Sequence, residues 1–334
     1  MTARTETTTP TQTPPPEHRP VLVAEVLELL QPRPGGTYVD CTVGLGGHAA
    51  AILERIQPGG TLLGIDRDEE SLAVARGRLA PAAGIRLIHD NFKNLPLILN
   101  NLGMSAVDGV LVDLGVSSFQ LLQPERGFSF AAEGMLDMRM DRTQRQTAAD
   151  LVNDLPEEQL ADVIYRYGEE RKSRRIAAAI ARERATGRIT RCAQLAEIVA
   201  RAARVRGHQP IHPATRTFQA LRIAVNRELE GLDEFLTEAI EFLRPGGRLV
   251  VISFHSLEDR IVKQTFRKLA GQCVCGRTRD LCTCPREPRA TIVTTRPMTA
   301  TPLEVEANRR ARSARLRAAE RIRATRQLGR GAAR

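Results

Sequence analysis

The chain has 334 residues, enough for two domains that each bury a core, and 42% of them are hydrophobic. No apolar run is as long as a membrane span, and the Thr/Pro-rich residues 1–16 lack the apolar centre of a signal peptide, so we expect neither a membrane protein nor a secreted one. The net charge is +10, and ten arginines against one acid in residues 309–334 favour nucleic acid as a partner, although such charge can also serve solubility alone.

The first predicted elements surround a glycine-rich turn. Residues 37–41 indicate a buried strand, residues 44–48 form the turn Gly-Leu-Gly-Gly-His, and residues 49–56 indicate an Ala-rich helix. Glycine lets the backbone approach a ligand, and the start of a helix presents free N–H groups and a positive dipole end. A second strand, at residues 62–65, ends at Asp66, where a carboxylate can accept hydrogen bonds from ribose hydroxyls. This order predicts the nucleoside-binding half of a Rossmann-like fold.

Three residues favour S-adenosylmethionine over a dinucleotide. Asp40, at the end of the first strand, could receive an ammonium group, whereas it would repel a pyrophosphate. A third strand begins at Ile85 and leads to Phe92, whose ring could cover a purine or simply pack in the core. A fourth strand, at residues 109–113, brings Asp113 to the same edge of the sheet, where open α/β folds bind ligands.

The alternation of strands and helices breaks after Ser118. Up to about residue 209 the sequence predicts only helices, among them residues 157–167 and 171–185, whose apolar residues recur at helical spacing. We therefore expect an all-helical domain inserted into an α/β protein with a mostly parallel sheet.

The sheet is predicted to resume after the insertion. Residues 228–243 indicate a helix, and residues 248–254 a fifth strand. Further strands are predicted at residues 290–295 and 313–320. The last of these alternates with period two, although its alanines and arginines are also strong helix formers.

Several motifs in this order identify a family. They are Asp113–Ser118 (DLGVSS), Glu125–Phe130 (ERGFSF), Leu136–Asp141 (LDMRMD), Tyr167–Arg171 (YGEER), His212–Glu230 (HPATRTFQALRIAVNRELE) and Ser253–Arg260 (SFHSLEDR), together with the glycine turn. The chain from Glu17 to Arg321 resembles the ribosomal small-subunit methyltransferase H family, also called MraW. The resemblance implies a class I S-adenosylmethionine-dependent methyltransferase fold. It also implies methyl transfer to the exocyclic N4 of a cytosine in the decoding region of 16S rRNA.

The resemblance implies partners and boundaries as well. The substrate would be 16S rRNA within the small ribosomal subunit in the cytoplasm, with neither DNA nor a membrane as a partner, and nothing in the sequence indicates an oligomeric state. The expected parts are a disordered tail (1–16), a first methyltransferase segment (17–118), an inserted helical RNA-recognition domain (119–211), a second methyltransferase segment (212–325) and a basic tail (326–334).

The family resemblance also assigns the cofactor-binding residues. The residues carried over to this sequence are Gly46, Gly47, His48, Asp66, Phe92, Asp113 and Gln120. For His48 the sequence alone favours a helix start that has no ligand role.

Two residues are candidates for catalysis. Asp113 could accept a hydrogen bond from the cytosine amine and stabilise positive charge developing on it, although cofactor contact is its other role. His255 follows the fifth strand, and a neutral imidazole there could take the amine proton. Alternatively, His255 only precedes a helix that Ser256 and Asp259 begin with a capping box, in which case Asp259 is structural.

RNA contacts are predicted on one helix. Arg216, Arg222 and Asn226 lie roughly on one side of it, opposite apolar residues, and could face RNA phosphates or merely solvent.

Six cysteines require an explanation. Cys41 and Cys192 are expected to be buried thiols. The other four form two C-x-C pairs, Cys273 with Cys275 and Cys282 with Cys284, which could hold a structural zinc ion. Reduced loop thiols are an alternative, and a disulfide is disfavoured in a reducing cytosol.

Two other functional classes remain open from the sequence. A Rossmann dehydrogenase would need a nicotinamide-pocket motif, which the sequence does not show. A non-catalytic ribosome-assembly factor would keep the basic surface and lose the cofactor residues, whereas the glycine turn, Asp66 and Asp113 are present.

Overall fold

The computed structural model describes residues 20–80, 82–130, 134–203, 211–276, 282–283 and 286–322. A seven-stranded sheet runs through them in the order β3-β2-β1-β4-β5-β7-β6. The strands are β1 (Thr37–Asp40), β2 (Thr61–Asp66), β3 (Ile85–His89), β4 (Val107–Asp113), β5 (Leu243–Ser253), β6 (Ala290–Ile292) and β7 (Arg315–Arg321). Strands β1 to β5 pair in parallel, whereas β7 runs antiparallel to β5 and β6. The predicted α/β, Rossmann-like class I methyltransferase fold is confirmed.

Helices cover both faces of this sheet, as parallel sheets require. The described residues form the helices α1 (Val23–Leu30), α2 (Gly47–Ile56), α3 (Glu69–Leu79), α4 (Leu95–Asn101), α5 (Ser118–Leu122), α6 (Ala148–Asp154), α7 (Glu157–Gly168), α8 (Ser173–Arg184), α9 (Cys192–Ala203), α10 (Thr215–Asn226), α11 (Leu232–Phe242), α12 (Ser256–Leu269) and α13 (Pro302–Ala307). Short 3-10 helices cover Phe92–Asn94, Pro124–Arg126 and Arg309–Ser313.

Two apolar cores flank the sheet because successive strand residues point to opposite faces. Val110 and Val112 of β4 pack with α4, α11 and α12, whereas Leu111 between them packs with α1, α2 and α3. All three of these side chains are fully buried. The central strands are therefore held on both sides, which fixes where their carboxyl ends emerge.

A third core lies among the helices between β4 and β5. The two helices predicted at 157–167 and 171–185 are confirmed as α7 and α8. Leu160 and Ile164 of α7 share this core with Phe218 and Leu221 of α10. Helix α10 lies beyond residue 211, where the sequence placed the end of the insertion, yet its apolar face packs into the same helical core.

The two C-terminal strands predicted from the sequence are confirmed as β6 and β7. Leu316 and Ala318 are fully buried on one face of β7. Arg317, on the other face, is also buried, and Asp259 of α12 accepts from its Nε at 2.6 Å and from its Nη2 at 3.2 Å. Both faces of β7 are therefore buried, one among apolar side chains and the other in an ion pair. Asp259 has the structural role expected for it.

The predicted tails, residues 1–16 and 326–334, lie outside the described residues. Among the helices of the described ranges, none is long and apolar enough to cross a bilayer.

Candidate active site

A cavity of about 310 Å³ opens at the carboxyl edge of the parallel strands. Its walls come from the turn after β1, the end of β2, the segment after β4 and the first turn of α2. Open α/β sheets bind ligands at this edge because the strand order reverses there and leaves a crevice. Here β1 lies between β2 and β4, which places the reversal directly below the glycine turn.

The glycine turn is shaped by contacts that a side chain would break. Gly46 has φ +82°, and a Cβ on it would come within 2.9 Å of the Leu79 side chain. A Cβ on Gly47 would come within 2.8 Å of Pro20. The turn therefore packs tightly from behind, while Gly44 and Gly47 line the cavity in front.

Asp66 organises this end of the cavity. Its Oδ2 accepts a hydrogen bond from the Gly44 amide at 2.7 Å, and its Oδ1 accepts one from the Asp68 amide at 2.9 Å. Burial raises the pKa of Asp66 to about 6 against these two hydrogen bonds, which lower it. The carboxylate is thus ionised at neutral pH and keeps lone pairs for a ligand with hydroxyl donors.

Phe92 and Gln120 line the cavity with different roles. The Phe92 ring packs against Phe235, with centroids 4.6 Å apart, and offers an apolar surface. The Gln120 amide is held by the protein itself, since its Nε2 donates to Asp68 Oδ2 at 2.6 Å and its Oε1 accepts from the Ser117 amide at 3.0 Å. Gln120 therefore fixes the loop after β4 against the loop after β2.

Asp113 lines the cavity at the carboxyl end of β4, the strand between β1 and β5. Its amide donates to Thr42 Oγ1 at 2.6 Å, and its Oδ2 lies 3.7 Å from His48 Nε2. Its Oδ1 is buried without a hydrogen-bond partner among the described residues. Burial, followed by the charges of Asp40 and Glu258, raises the pKa of Asp113 well above its usual value. A ligand group that donates hydrogen bonds or carries positive charge would satisfy this carboxyl.

The structure does not place Asp40 where the sequence analysis expected it. Asp40 is 1% exposed and is not among the described residues that line the cavity. Its Oδ1 accepts from the Thr42 amide at 3.1 Å, and burial raises the pKa of the carboxyl to about 7. Its effect on a ligand is therefore electrostatic, through Asp113.

A second polar group closes the far end of the cavity. Arg222 makes a two-pronged ion pair with Glu228, from Nε to Oε1 at 2.9 Å and from Nη2 to Oε2 at 2.8 Å. Glu258 lies beside this pair and is 2% exposed. Burial opposes its ionisation, but its hydrogen bond with His255 and the charge of Arg222 outweigh burial and lower its pKa.

His255 contacts Glu258 and is not among the described residues that line the cavity. It is the N-cap of α12: its Nδ1 accepts from the Glu258 amide at 3.4 Å, and the Glu258 carboxylate reaches back to the His255 amide. The expected capping box of Ser256 and Asp259 is therefore wrong, because the extended backbone of His255 already begins the helix one residue earlier. The His255 Nε2 lies 3.1 Å from Glu258 Oε1.

Glu228, His255 and Glu258 bring their ligand atoms within 4.8 Å of one another, a spacing that could also hold a metal ion. Arg222 already supplies the positive charge that these two carboxylates need. The four side chains therefore form a salt-bridge network by themselves.

The three residues predicted to contact RNA do not form one outward face. Arg216 is half exposed, 4.0 Å from Glu170, whereas Arg222 points into the cavity. Asn226 is 2% exposed, and its Nδ2 donates to the Met138 carbonyl at 2.7 Å while its Oδ1 accepts from the Met140 amide at 2.8 Å. The polar side of α10 is covered by the loop around residue 140, which no pattern in the sequence indicates.

Three cations line the cavity that the sequence analysis did not identify: Arg67, Lys93 and Arg310. Burial lowers the pKa of each, so an anionic ligand group would be stabilised beside them. Arg67 and Lys93 directly follow Asp66 and Phe92, and their adjacency to strand ends was the available signal. Arg310 comes from a distant C-terminal segment, and no sequence signal connected it to the cavity.

The cysteines are divided as expected between core and loop. Cys41 and Cys192 are buried. Cys273, Cys275 and Cys282 lie together beyond the C-terminal end of α12, whereas Cys284 lies outside the described residues.

Comparisons with known proteins agree with this geometry. Residues 16–322 match the family model of the MraW methylase family. The chain is 53% identical over 309 residues to the ribosomal RNA small subunit methyltransferase H of Pelobacter propionicus, covering 92% of this chain and 99% of the relative. It is 55% identical over 308 residues to the protein of the same name from Geobacter sulfurreducens, covering 91% of this chain and 99% of that one. Among solved structures it is similar to the fibrillarin of Aeropyrum pernix with bound S-adenosyl-L-methionine, at TM-score 0.38 and 13% identity over 89% of this chain and 72% of that one. The match to the family model extends over nearly the whole chain, which therefore belongs to the MraW methylase family.

Proposed function

We propose that this protein transfers the methyl group of S-adenosylmethionine to the exocyclic N4 of a cytosine in the decoding region of 16S rRNA. The observation that carries the proposal is Asp113, whose buried Oδ1 has no hydrogen-bond partner among the described residues. Asp113 ends β4, which lies between β1 and β5 in the sheet, and it lines the same cavity as Asp66 and Glu258. The relatives' names support ribosomal RNA of the small subunit as the substrate.

The end of the cavity near β2 fits the cofactor. Asp66 would accept hydrogen bonds from the ribose hydroxyls, and Phe92 would cover one face of the adenine. Gly44 and Gly47 allow the backbone to approach the ligand. When bound, S-adenosylmethionine supplies an electrophilic methyl group on a sulfonium that leaves as a neutral thioether.

The end near β4 fits the target base. The lone pair of a cytosine N4 amine is delocalised into the ring, so the amine is a poor nucleophile. A carboxylate that accepts a hydrogen bond from the amine would stabilise the positive charge that develops on nitrogen. We assign this role to Asp113, and holding the amine in line with the methyl group adds an orientation effect of roughly 7–11 kcal/mol.

His255 then acts through Glu258. Glu258 lines the cavity, and its carboxylate is held by His255 and by the Phe254 amide at 2.9 Å. This arrangement keeps Glu258 ionised beside Asp113, where the two carboxyl groups can share the proton that leaves the amine. His255 is thereby a positioning residue.

The helical segment offers a surface for the RNA. Helix α8 and the turn before it present Arg171, Arg174, Arg175 and Arg182, all exposed. We assign phosphate contacts to this surface and to Arg216, because base recognition alone cannot hold a ribosomal subunit in register. The cytoplasm, where ribosomal subunits are made, is the compartment that fits this substrate.

The proposal is tested by methylation of small ribosomal subunits with isotopically labelled cofactor, followed by nucleoside mass spectrometry. We expect N4-methylcytidine at a single position, and Asp113→Asn should reduce the rate by at least roughly 100-fold, the lower range for removing one charge-stabilising group. Methylation of a ring carbon or a ribose would overturn the assignment. Binding of subunits without any methyl transfer would favour the non-catalytic assembly factor.

A further inference from the structure

Three thiols meet outside the active site, in the segment that joins α12 to β6. Cys273 Sγ lies 3.5 Å from Cys275 Sγ and 3.4 Å from Cys282 Sγ. All three sulfur atoms lie within 4.8 Å of one another. No step proposed for methyl transfer uses them.

The spacing of these sulfurs differs from that of a disulfide. A disulfide bond measures about 2.05 Å, and its geometry would leave the third thiol unused. Four thiolates on a tetrahedral zinc ion, each about 2.3 Å from the metal, lie about 3.8 Å from one another. The observed separations are close to that edge length, and they need only a small outward movement to receive the ion.

The described part of the segment lacks a buried core. Between Gln272 and Arg289 every described side chain is exposed or half-buried, and the apolar ones are few. Its two ends are joined at the base: the Arg289 amide donates to the Leu269 carbonyl at 2.7 Å, and a Cβ on Gly271 would come within 2.6 Å of the Arg286 carbonyl. A loop that is closed at its base, and whose described residues bury no side chain, is the situation in which small protein segments use a metal.

The backbone beside the first pair of thiols suits a metal site. Gly276, directly after Cys275, has φ +67°, a backbone conformation that glycine adopts without a Cβ clash. Arg267 of α12 donates to the Cys273 carbonyl at 3.4 Å and brings positive charge toward thiolates that would be anionic.

We propose that Cys273, Cys275 and Cys282 bind a structural zinc ion. The second C-x-C pair of the sequence also contains Cys284, which lies outside the described residues. The ion cross-links the segment between α12 and the edge strand β6.

The zinc site is separate from the cavity. Helix α12 has 14 residues, and its first turn contributes Glu258 to the cavity, whereas the cysteines follow its last turn. At 1.5 Å per residue the two sites are about 20 Å apart. The ion therefore stabilises the fold and takes no part in methyl transfer.

The test is elemental analysis of the full-length protein purified without chelator. We expect about one zinc per chain, and Cys273→Ser, Cys275→Ser and Cys282→Ser should each weaken zinc affinity by at least ~100-fold, as judged by competition with a chromophoric chelator. Val274→Ser is the matched control, because it changes the same turn and keeps every thiol. Cobalt(II) in place of zinc should give the visible bands of tetrahedral thiolate coordination in the wild type and in the control.

Three results would overturn the proposal. They are wild-type protein that neither contains zinc nor takes it up, a disulfide between two of these cysteines in unreduced peptides, and iron with sulfide in place of zinc. Since the wild type is itself measured by chelator competition, unfolding of a serine variant does not remove the test.

Discussion

Asp66→Ala should weaken binding of S-adenosylmethionine at least tenfold. In the structure both Asp66 oxygens already accept one backbone hydrogen bond, from the amides of Gly44 and Asp68. The proposed ribose contacts use the remaining lone pairs of the same carboxylate. Alanine removes these acceptors and frees the two amides at once.

The expected size follows from these contacts. A hydrogen bond to a charged group contributes about 1.5–3 kcal/mol, so two ribose contacts set an upper limit of roughly 6 kcal/mol. Water molecules, and the freed amides donating to the ribose oxygens, would recover part of the lost binding free energy. A loss of at least about 1.4 kcal/mol, which is tenfold in affinity, is the part that should remain.

The pKa of Asp66 provides a second signature. Burial raises it to about 6, so the unliganded carboxyl takes up a proton as the pH falls through that value. Protonation removes the charge and one acceptor site, and wild-type affinity should therefore decrease between pH 7.5 and pH 5. In the alanine variant this part of the pH dependence should vanish.

Isothermal titration calorimetry at several pH values measures both effects. Asp90→Ala is the control, since Asp90 also follows a strand of the sheet but does not line the cavity in the described residues. Unchanged affinity of a folded Asp66→Ala protein at neutral pH would refute the ribose assignment. An equal loss in the Asp90 variant would show that the loops, and not the carboxylate, determine binding.

Asp40→Asn should flatten the pH dependence of the free energy of unfolding, because burial raises the pKa of Asp40 in the folded protein to about 7. The protonated form of Asp40 contributes stability that is complete below the unfolded pKa of 3.8, and this stability is lost as the pH rises to about 7. Urea unfolding of the unliganded protein at pH 5 and pH 8 measures this, and a variant that loses as much stability as the wild type would contradict it. Asn226→Ala should cost about 1–3 kcal/mol of stability, because it leaves buried groups of the loop around residue 140 without partners, and should not change the salt dependence of RNA binding. Arg174→Gln combined with Arg175→Gln should leave stability unchanged and reduce the log–log salt slope by roughly 0.7 to 0.9 for each RNA phosphate that the variant no longer neutralises. A filter-binding slope equal to that of the wild type would remove α8 from the RNA surface.

Sequence reasoning succeeded where the signal is local. The glycine turn, the acid after β2 and the aromatic after β3 each follow a strand by a few residues, and parallel strands bring their carboxyl ends to one edge. The position of Asp66 and Phe92 beside one cavity therefore required only the correct strand assignment. The period-two alternation that predicted β7 is local as well, although its alanines and arginines are also strong helix formers.

The environment of the polar side of α10 could not be predicted in this way, because it depends on long-range contacts. The spacing of Arg222 and Asn226 correctly placed them on one side of the helix, opposite the apolar residues of the helical core. Whether that side meets solvent depends on the loop around residue 140 and on Glu228, which cover it. The contribution of Arg310 to the cavity is a similar case, since more than two hundred residues separate it from the glycine turn. Hydrophobic periodicity and helix propensity predict a helix, but they do not predict which segments pack on its polar side.

The charges around Asp113 connect these observations to the chemistry. Burial, and then the charges of Asp40 and Glu258, raise the pKa of Asp113, whereas His255 and Arg222 keep the pKa of Glu258 low. The ionised form of Asp113 is therefore disfavoured in the unliganded protein by its burial and by two neighbouring carboxyl groups. An amine that gains positive charge during methyl transfer would reduce this repulsion, and more strongly in the transition state than in the ground state. The strain would thus favour catalysis over substrate binding. On this argument Glu258→Gln should lower the methylation rate more than it lowers affinity for the RNA, whereas an equal effect on both would show that Glu258 serves binding alone.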